Sequence, residues 1–141
     1  AKGNPGFENI NNNPTSWDVW NTVSSGAEDR DFIMQALDSM EAQFNIDTNR
    51  VYVTGFSQGG YMSYILSTIH SNRITAMASV AGVMSTDYYN NCYPVHPLPI
   101  MHIHGTNDAL VSYNGNTNAL PAETVVGHWI QFNQCDSIPE I

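Results

Sequence analysis

Positive charge is what this sequence has least of: four Lys and Arg residues stand against thirteen Asp and Glu, a formal charge of −9 over 141 residues. A phosphate backbone or an anionic membrane surface would repel most of such a molecule, which argues against nucleic acid or a membrane as partner. No apolar run approaches the ~18 residues of a transmembrane helix, and the N-terminal Ala1-Lys2-Gly3-Asn4-Pro5 holds no apolar signal core. The expectation is that a leader has been removed or that the chain begins within a longer protein. Cysteine is nearly absent. Cys92 and Cys135 fit neither a zinc set nor a C-x-x-C pair, and two cysteines define no disulfide framework, so their pairing stays open. Charged residues make up only 12% and hydrophobic ones 42%, which suits one compact domain over residues 1–141 and excludes a disordered chain.

Residues 1–24 are rich in Asn, Pro, Gly and Ser with Trp17 and Trp20 embedded, and read as a long surface loop. Ser25-Gly26-Ala27-Glu28 has capping-box spacing. Ile33, Leu37, Met40 and Phe44 follow at intervals of four, three and four, which predicts a helix over about 27–45 with one apolar face. Ile46-Asp47-Thr48-Asn49 turns the chain into a strand at 50–54, and Met62, Ile65, Leu66 and Ile69 predict a helix over 58–71. The small apolar run 75–81, bounded by Gly82, reads as a buried parallel strand. After a loop holding Tyr88, Tyr89 and Cys92, residues 99–104 read as a third strand, and 121–132 as a last helix with proline near its start. This order implies a parallel sheet with helices on both faces.

The richest segment is Gly55-Phe56-Ser57-Gln58-Gly59, set directly between the predicted strand and the predicted helix. In a G-x-S-x-G pattern the small flanking residues let the backbone turn sharply and leave the serine hydroxyl exposed, as in a nucleophile elbow. A serine hydroxyl is a weak nucleophile at neutral pH. It needs an imidazole base, and that imidazole needs a carboxylate to hold its tautomer. Asp108 lies on a loop just past the third strand, at the carboxyl end where parallel sheets place ligands; an Asp there can equally be a turn-maker bonding its own backbone.

Three stretches carry a resemblance: NIDTNRVYVTGFSQGG at 45–60, HGTNDALVSYNGN at 104–116 and ETVVGHWIQFNQC at 123–135. Together they resemble the secreted esterases of the polyhydroxybutyrate depolymerase and feruloyl esterase group of α/β-hydrolases, in order and spacing from about Ser16 to Cys135. The resemblance implies an α/β-hydrolase fold, Ser57 as nucleophile, Asp108 as the acid of the triad, and the Gln58 backbone N–H as one oxyanion donor. It also implies an ester substrate, polyester or linked to polysaccharide, no cofactor or metal, and a secreted or periplasmic location. Relative to the group, the chain is expected to start after the early strand and oxyanion loop and to stop before the segment bearing the catalytic histidine.

No histidine completes the set. His128 follows Asp108 but falls mid-helix beside Trp129, where packing is the simpler role. His102 and His104 alternate on a strand and could suggest a metal pair, but two ligands without a third favour a structural role. His70 and His96 have no chemical context. Glu28, Asp29 and Asp31 fit a helix N-terminus, where carboxylates are stabilised by the macrodipole. Trp17 and Tyr113 are candidates to line a substrate cleft, together with Trp20, Tyr88 and Tyr89, or else to cover the core edge. Two rivals to an esterase remain: a non-catalytic binding protein that keeps the elbow as scaffold, and a serine peptidase on the same fold.

Overall fold

The computed structural model describes residues 17–19, 29–136 and 138. The expected capping box at 25–28, Trp20, and nearly all of the predicted N-terminal loop lie outside them. The elements run α1 (Asp29–Gln43), β1 (Tyr52–Phe56), α2 (Gln58–Ile69), β2 (Ala76–Val80), α3 (Thr86–Asn90), β3 (Ile100–Ile103) and α4 (Ala122–Phe132). The three strands form one parallel sheet in the order β1-β2-β3. Tyr52 pairs with Ala76 and Phe56 with Val80, while Met77 pairs with Ile100 and Val80 with Ile103.

Helix α2 is the centre of the molecule. From Gly60 to Thr68 every residue is buried, so its sequence is apolar or small all round where a surface helix would show a polar stripe. Two of its hydroxyls bond carbonyls one turn back: Ser63 Oγ donates to Gly59 O at 2.8 Å and Thr68 Oγ1 to Tyr64 O at 2.9 Å. This satisfies them without a partner element. Tyr64 reaches across to β3, its hydroxyl 2.9 Å from His102 Nδ1. Burial raises the phenol pKa of Tyr64 well above its ordinary value. On α4, Ala122, Val125 and Trp129 follow helical spacing into the core. The end of α4 is pinned by Asn133, which accepts from Leu98 N at 2.9 Å and donates to Leu98 O at 2.8 Å. That clamp fixes the segment entering β3.

The predicted apolar face of α1 is only partly used. Ile33 and Leu37 pack against the core and Met34 is buried, but Met40 is 48% and Phe44 58% exposed. The last turns of α1 are instead tied by charge: Arg73, just past α2, bonds Asp38 at 2.8 Å and Glu41 at 2.9 Å. Helix α3 was not predicted from sequence; its five residues are too short for a periodic signal, and its N-cap is Ser85, whose Oγ accepts from Tyr88 N.

The sheet is parallel as expected, but among the described residues helices cover one of its faces. Val53, Met77, Ser79 and His102 point toward α2 and α4. The opposite face carries Tyr52, Phe56, Met101 and Ile103, each at least half exposed. All-parallel sheets are stable with both faces covered, and among the described residues β1 and β3 each have an unpaired outer edge. The 141 residues on their own are therefore expected to self-associate at micromolar concentration, as sedimentation velocity would record; a dilute monomer with sharp, reversible thermal unfolding would contradict this.

Candidate active site

Ser57 stands between the last residue of β1 and the first of α2, with φ 54° and ψ −118°. A side-chain-bearing residue holds such a conformation only where its surroundings enforce it. They do so here through backbone. Ser57 N donates to Val80 O at 2.8 Å, extending the β1–β2 ladder by one bond, while Ser57 O accepts from Gly60 N at 2.8 Å and Tyr61 N at 3.2 Å to open α2. The glycine requirement is equally concrete: a Cβ on Gly55 would sit 2.2 Å from the Gly59 carbonyl carbon and oxygen. The Ser57 side chain makes no capping bond. As the first residue of α2, Gln58 has an N–H that precedes the first helical bond and is not consumed by the helix.

A cavity of about 510 Å³ opens beside the elbow, lined by Thr54, Gly55, Phe56, Ser57, Gln58, Gly59 and Trp17. Trp17 thus shares a cavity wall with Ser57. Tyr113 does not join them. It lies edge-on to His104, ring centroids 5.8 Å apart, in the wall of a separate cavity of about 580 Å³ between β3 and α4. Of the other aromatics considered, Tyr88 is buried in the core and Tyr89 packs on His128 at 4.9 Å.

Asp108 lies past the carboxyl end of β3, at the same end of the sheet as Ser57, because the strands are parallel. Its loop is closed by bonds to backbone: Asp108 Oδ1 accepts from Leu110 N at 2.9 Å and Val111 N at 3.0 Å, and Asp108 N donates to Gly105 O at 3.1 Å. The turn-maker role and a role as acid are compatible, since Oδ1 takes both bonds and Oδ2 is left for another donor. The Val111 and Leu110 N–H groups, with a smaller contribution from His104, hold the Asp108 carboxyl below its ordinary value of 3.8. Asp108 in turn helps push Tyr61 up to about 12, after burial as the main cause. Tyr61 is one turn along α2 from Ser57, so the carboxylate's field reaches the helix that the elbow starts.

A depressed carboxyl pKa means that the folded loop favours the ionised form. Its stabilisation is complete above the ordinary value of 3.8 and is lost as pH falls through the lowered folded value. An NMR titration of the Asp108 carboxyl is expected to give a midpoint below 3.8, with the Leu110 and Val111 amides moving in step. A midpoint above that value would contradict the loop geometry.

The five histidines are all described, and none bonds the Ser57 hydroxyl. His104 comes nearest to the acid, its Nε2 3.8 Å from Asp108 Oδ2, but the ring is 1% exposed and Nε2 sits 2.8 Å from Val111 O. It braces the acid loop from β3, with β2 between it and the elbow. His102 stacks on His104 at 5.3 Å and bonds Tyr64. Burial lowers the His102 pKa, and the neighbouring His104 lowers it further. Among the described residues no third His, Cys, Asp or Glu joins this pair in a metal-holding group. His128 lies on α4 against Tyr89, and burial lowers its pKa. Cys92 is buried and Cys135 exposed, both as free thiols.

One contributor was missed from the sequence. The end of β2 presses on the elbow: a Cβ on Gly82 would sit 2.7 Å from Ser57 O, and Ala81 takes a positive φ of 50° beside it. The only signal was Gly82 itself, read as the end of a strand.

Residues 9–136 match the phospholipase/carboxylesterase family. Relatives include a bifunctional acetylxylan esterase/xylanase of Neocallimastix patriciarum, 35% identical over 70% of this chain and 14% of its own length. Feruloyl esterase B of Piromyces equi is 27% identical over 86% of this chain and 25% of its length. A poly(3-hydroxyalkanoate) depolymerase of Paucimonas lemoignei is 31% identical over 52% and 18%. A thermostable esterase of known crystal structure superposes with a TM-score of 0.60 at 20% identity, over 72% of this chain and 25% of that one, a likeness of fold. The chain thus spans well under half the length of each of these proteins. With the parallel sheet and the serine turn at its carboxyl edge, residues 9–136 make this chain a member of the phospholipase/carboxylesterase family of α/β-hydrolases.

Proposed function

We propose that the protein is a serine carboxylic-ester hydrolase acting on polyester or plant cell-wall esters. The observation that carries this reading is the strained Ser57 turn at the carboxyl end of the sheet, past which Asp108 also lies. Ser57 Oγ attacks the ester carbonyl, an imidazole takes its proton, and the alcohol leaves with that proton to give an acyl-enzyme that water then hydrolyses. The Gln58 N–H stabilises the oxyanion from the start of α2, where the helix dipole adds to it. Asp108 Oδ2 orients the imidazole. None of the five histidines bonds the Ser57 hydroxyl, and the Gln58 N–H is the oxyanion donor that the elbow itself supplies.

Trp17 lines the acyl or alcohol side of the cleft, and Tyr113 would contribute only to a substrate long enough to pass β3. The relatives' names span acetylxylan, feruloyl and poly(3-hydroxyalkanoate) esters, which supports an ester of a polymer without choosing among them. Such a substrate fits an exported protein. No helix among the described residues is long and apolar enough to cross a membrane.

Paired substrates test the reading: p-nitrophenyl acetate and methyl ferulate against the matching anilide and a peptide amide. Turnover of the esters alone is expected. Release of amines at a comparable rate would favour a peptidase, and tight binding without turnover a non-catalytic binding protein.

A further inference from the structure

We infer that Ser79 is a positioning residue for Ser57, holding the elbow's strained turn in place from the neighbouring strand. This deepens the reading of Ser57 as nucleophile and rests on it. Ser79 is wholly buried on β2, on the face that α2 covers. Its Oγ donates to Gly82 O at 2.9 Å, closing a ring around Ala81, whose positive φ of 50° is a conformation that L-alanine resists. Ala81 N donates to Ile103 O at 2.8 Å, so the turn is gripped from β3 as well.

That turn delivers two groups to the elbow. Val80 O, before it, takes the Ser57 N–H. Gly82, after it, packs so closely that a Cβ would stand 2.7 Å from both Ser57 O and Gly60 Cα. The peptide groups on both sides of Ser57 Cα therefore touch residues 80–82. Ser79 is the side chain that keeps those residues in register, and it touches the helix too: a Cβ on Gly60 would meet Ser79 Oγ at 2.5 Å. A strained nucleophile needs such over-determination. The Ser79 hydroxyl is sealed beneath the elbow and meets no substrate, so it acts only through the placement of Ser57 Oγ.

Placement errors of an ångström cost on the order of 100-fold in rate. In the native polypeptide, Ser79→Ala is expected to lower kcat by about tenfold or more with KM within about twofold. Wild-type kcat with a lowered Tm would make the hydroxyl merely structural and overturn the proposal. In the double variant Ser79→Ala/Ala81→Gly, glycine takes the positive φ without help. It is expected to fold even where the single variant does not, and to return kcat to within about threefold of wild type. A folded double variant still about tenfold slow overturns the proposal. Full turnover in Ser57→Ala, run alongside, would sink the nucleophile reading itself, a result separable from either Ser79 outcome.

Discussion

Replacing Ser57 by alanine is expected to lower ester turnover by on the order of 10⁶ in a form of the protein that has its general base in place. The substitution removes the attacking oxygen and leaves the turn, the Gln58 N–H and the cavity unchanged. Asp108→Asn is expected to cost on the order of 10⁴ in kcat, because an amide can donate where the carboxylate only accepts and would favour the wrong imidazole tautomer. In the 141 residues alone, the Ser57→Ala change should alter the already minimal rate little, since a triad without its base works barely above background. His128→Ala should leave the base-complete enzyme largely active, as His128 packs on Tyr89 rather than facing Ser57. Steady-state kinetics on p-nitrophenyl acetate check all four. A competent 141-residue esterase whose activity vanishes with His128→Ala would make His128 the base and overturn the assignment.

The two glycines of the G-x-S-x-G motif are expected to respond oppositely to alanine. On Gly55 the added methyl would lie 2.2 Å from the Gly59 carbonyl carbon and oxygen, which are backbone and cannot rotate away. Gly55→Ala should destabilise by about 3 kcal/mol, at the upper end of overpacking costs, or prevent folding. On Gly59 the methyl meets nothing within 4 Å among the described residues. Gly59 lies in the first turn of α2, so alanine there should gain up to about 1 kcal/mol of helix stability. Calorimetric melting of the two variants decides it, and equal losses would show that the space beside Gly59 is filled. Gly59 also lines the cavity at Ser57, so a more stable Gly59→Ala variant need not be as fast.

What could be read from the sequence was what local chemistry encodes. The elbow was legible because a glycine-bracketed serine stood between two runs of different period, and the predicted strand, 50–54, lay two residues early against Tyr52–Phe56 because Gly55 and Phe56 looked like turn. They stay in the ladder because Ser57 N finds Val80 O. Asp108 was legible from its place after a strand, but its two backbone bonds, and hence its lowered pKa, depend on how residues 105–111 close. The α1 face was misjudged at Met40 and Phe44 because periodicity shows which residues share a face, not how far the neighbouring element extends. The face that no helix among the described residues covers was hidden for a related reason: Tyr52, Phe56, Met101 and Ile103 are apolar as a covered face requires, and nothing local says what covers them. Ser79, Ala81 and Gly82 were invisible as a group, since their role appears only when β2 lies beside β1.

Covalent labelling of the native polypeptide with a fluorophosphonate probe, followed by peptide mapping, tests Ser57 as the nucleophile. One label per chain is expected, on Ser57, blocked by prior incubation with ester substrate and absent from Ser57→Ala. Ester turnover with no label, or a label on any other serine, would contradict it.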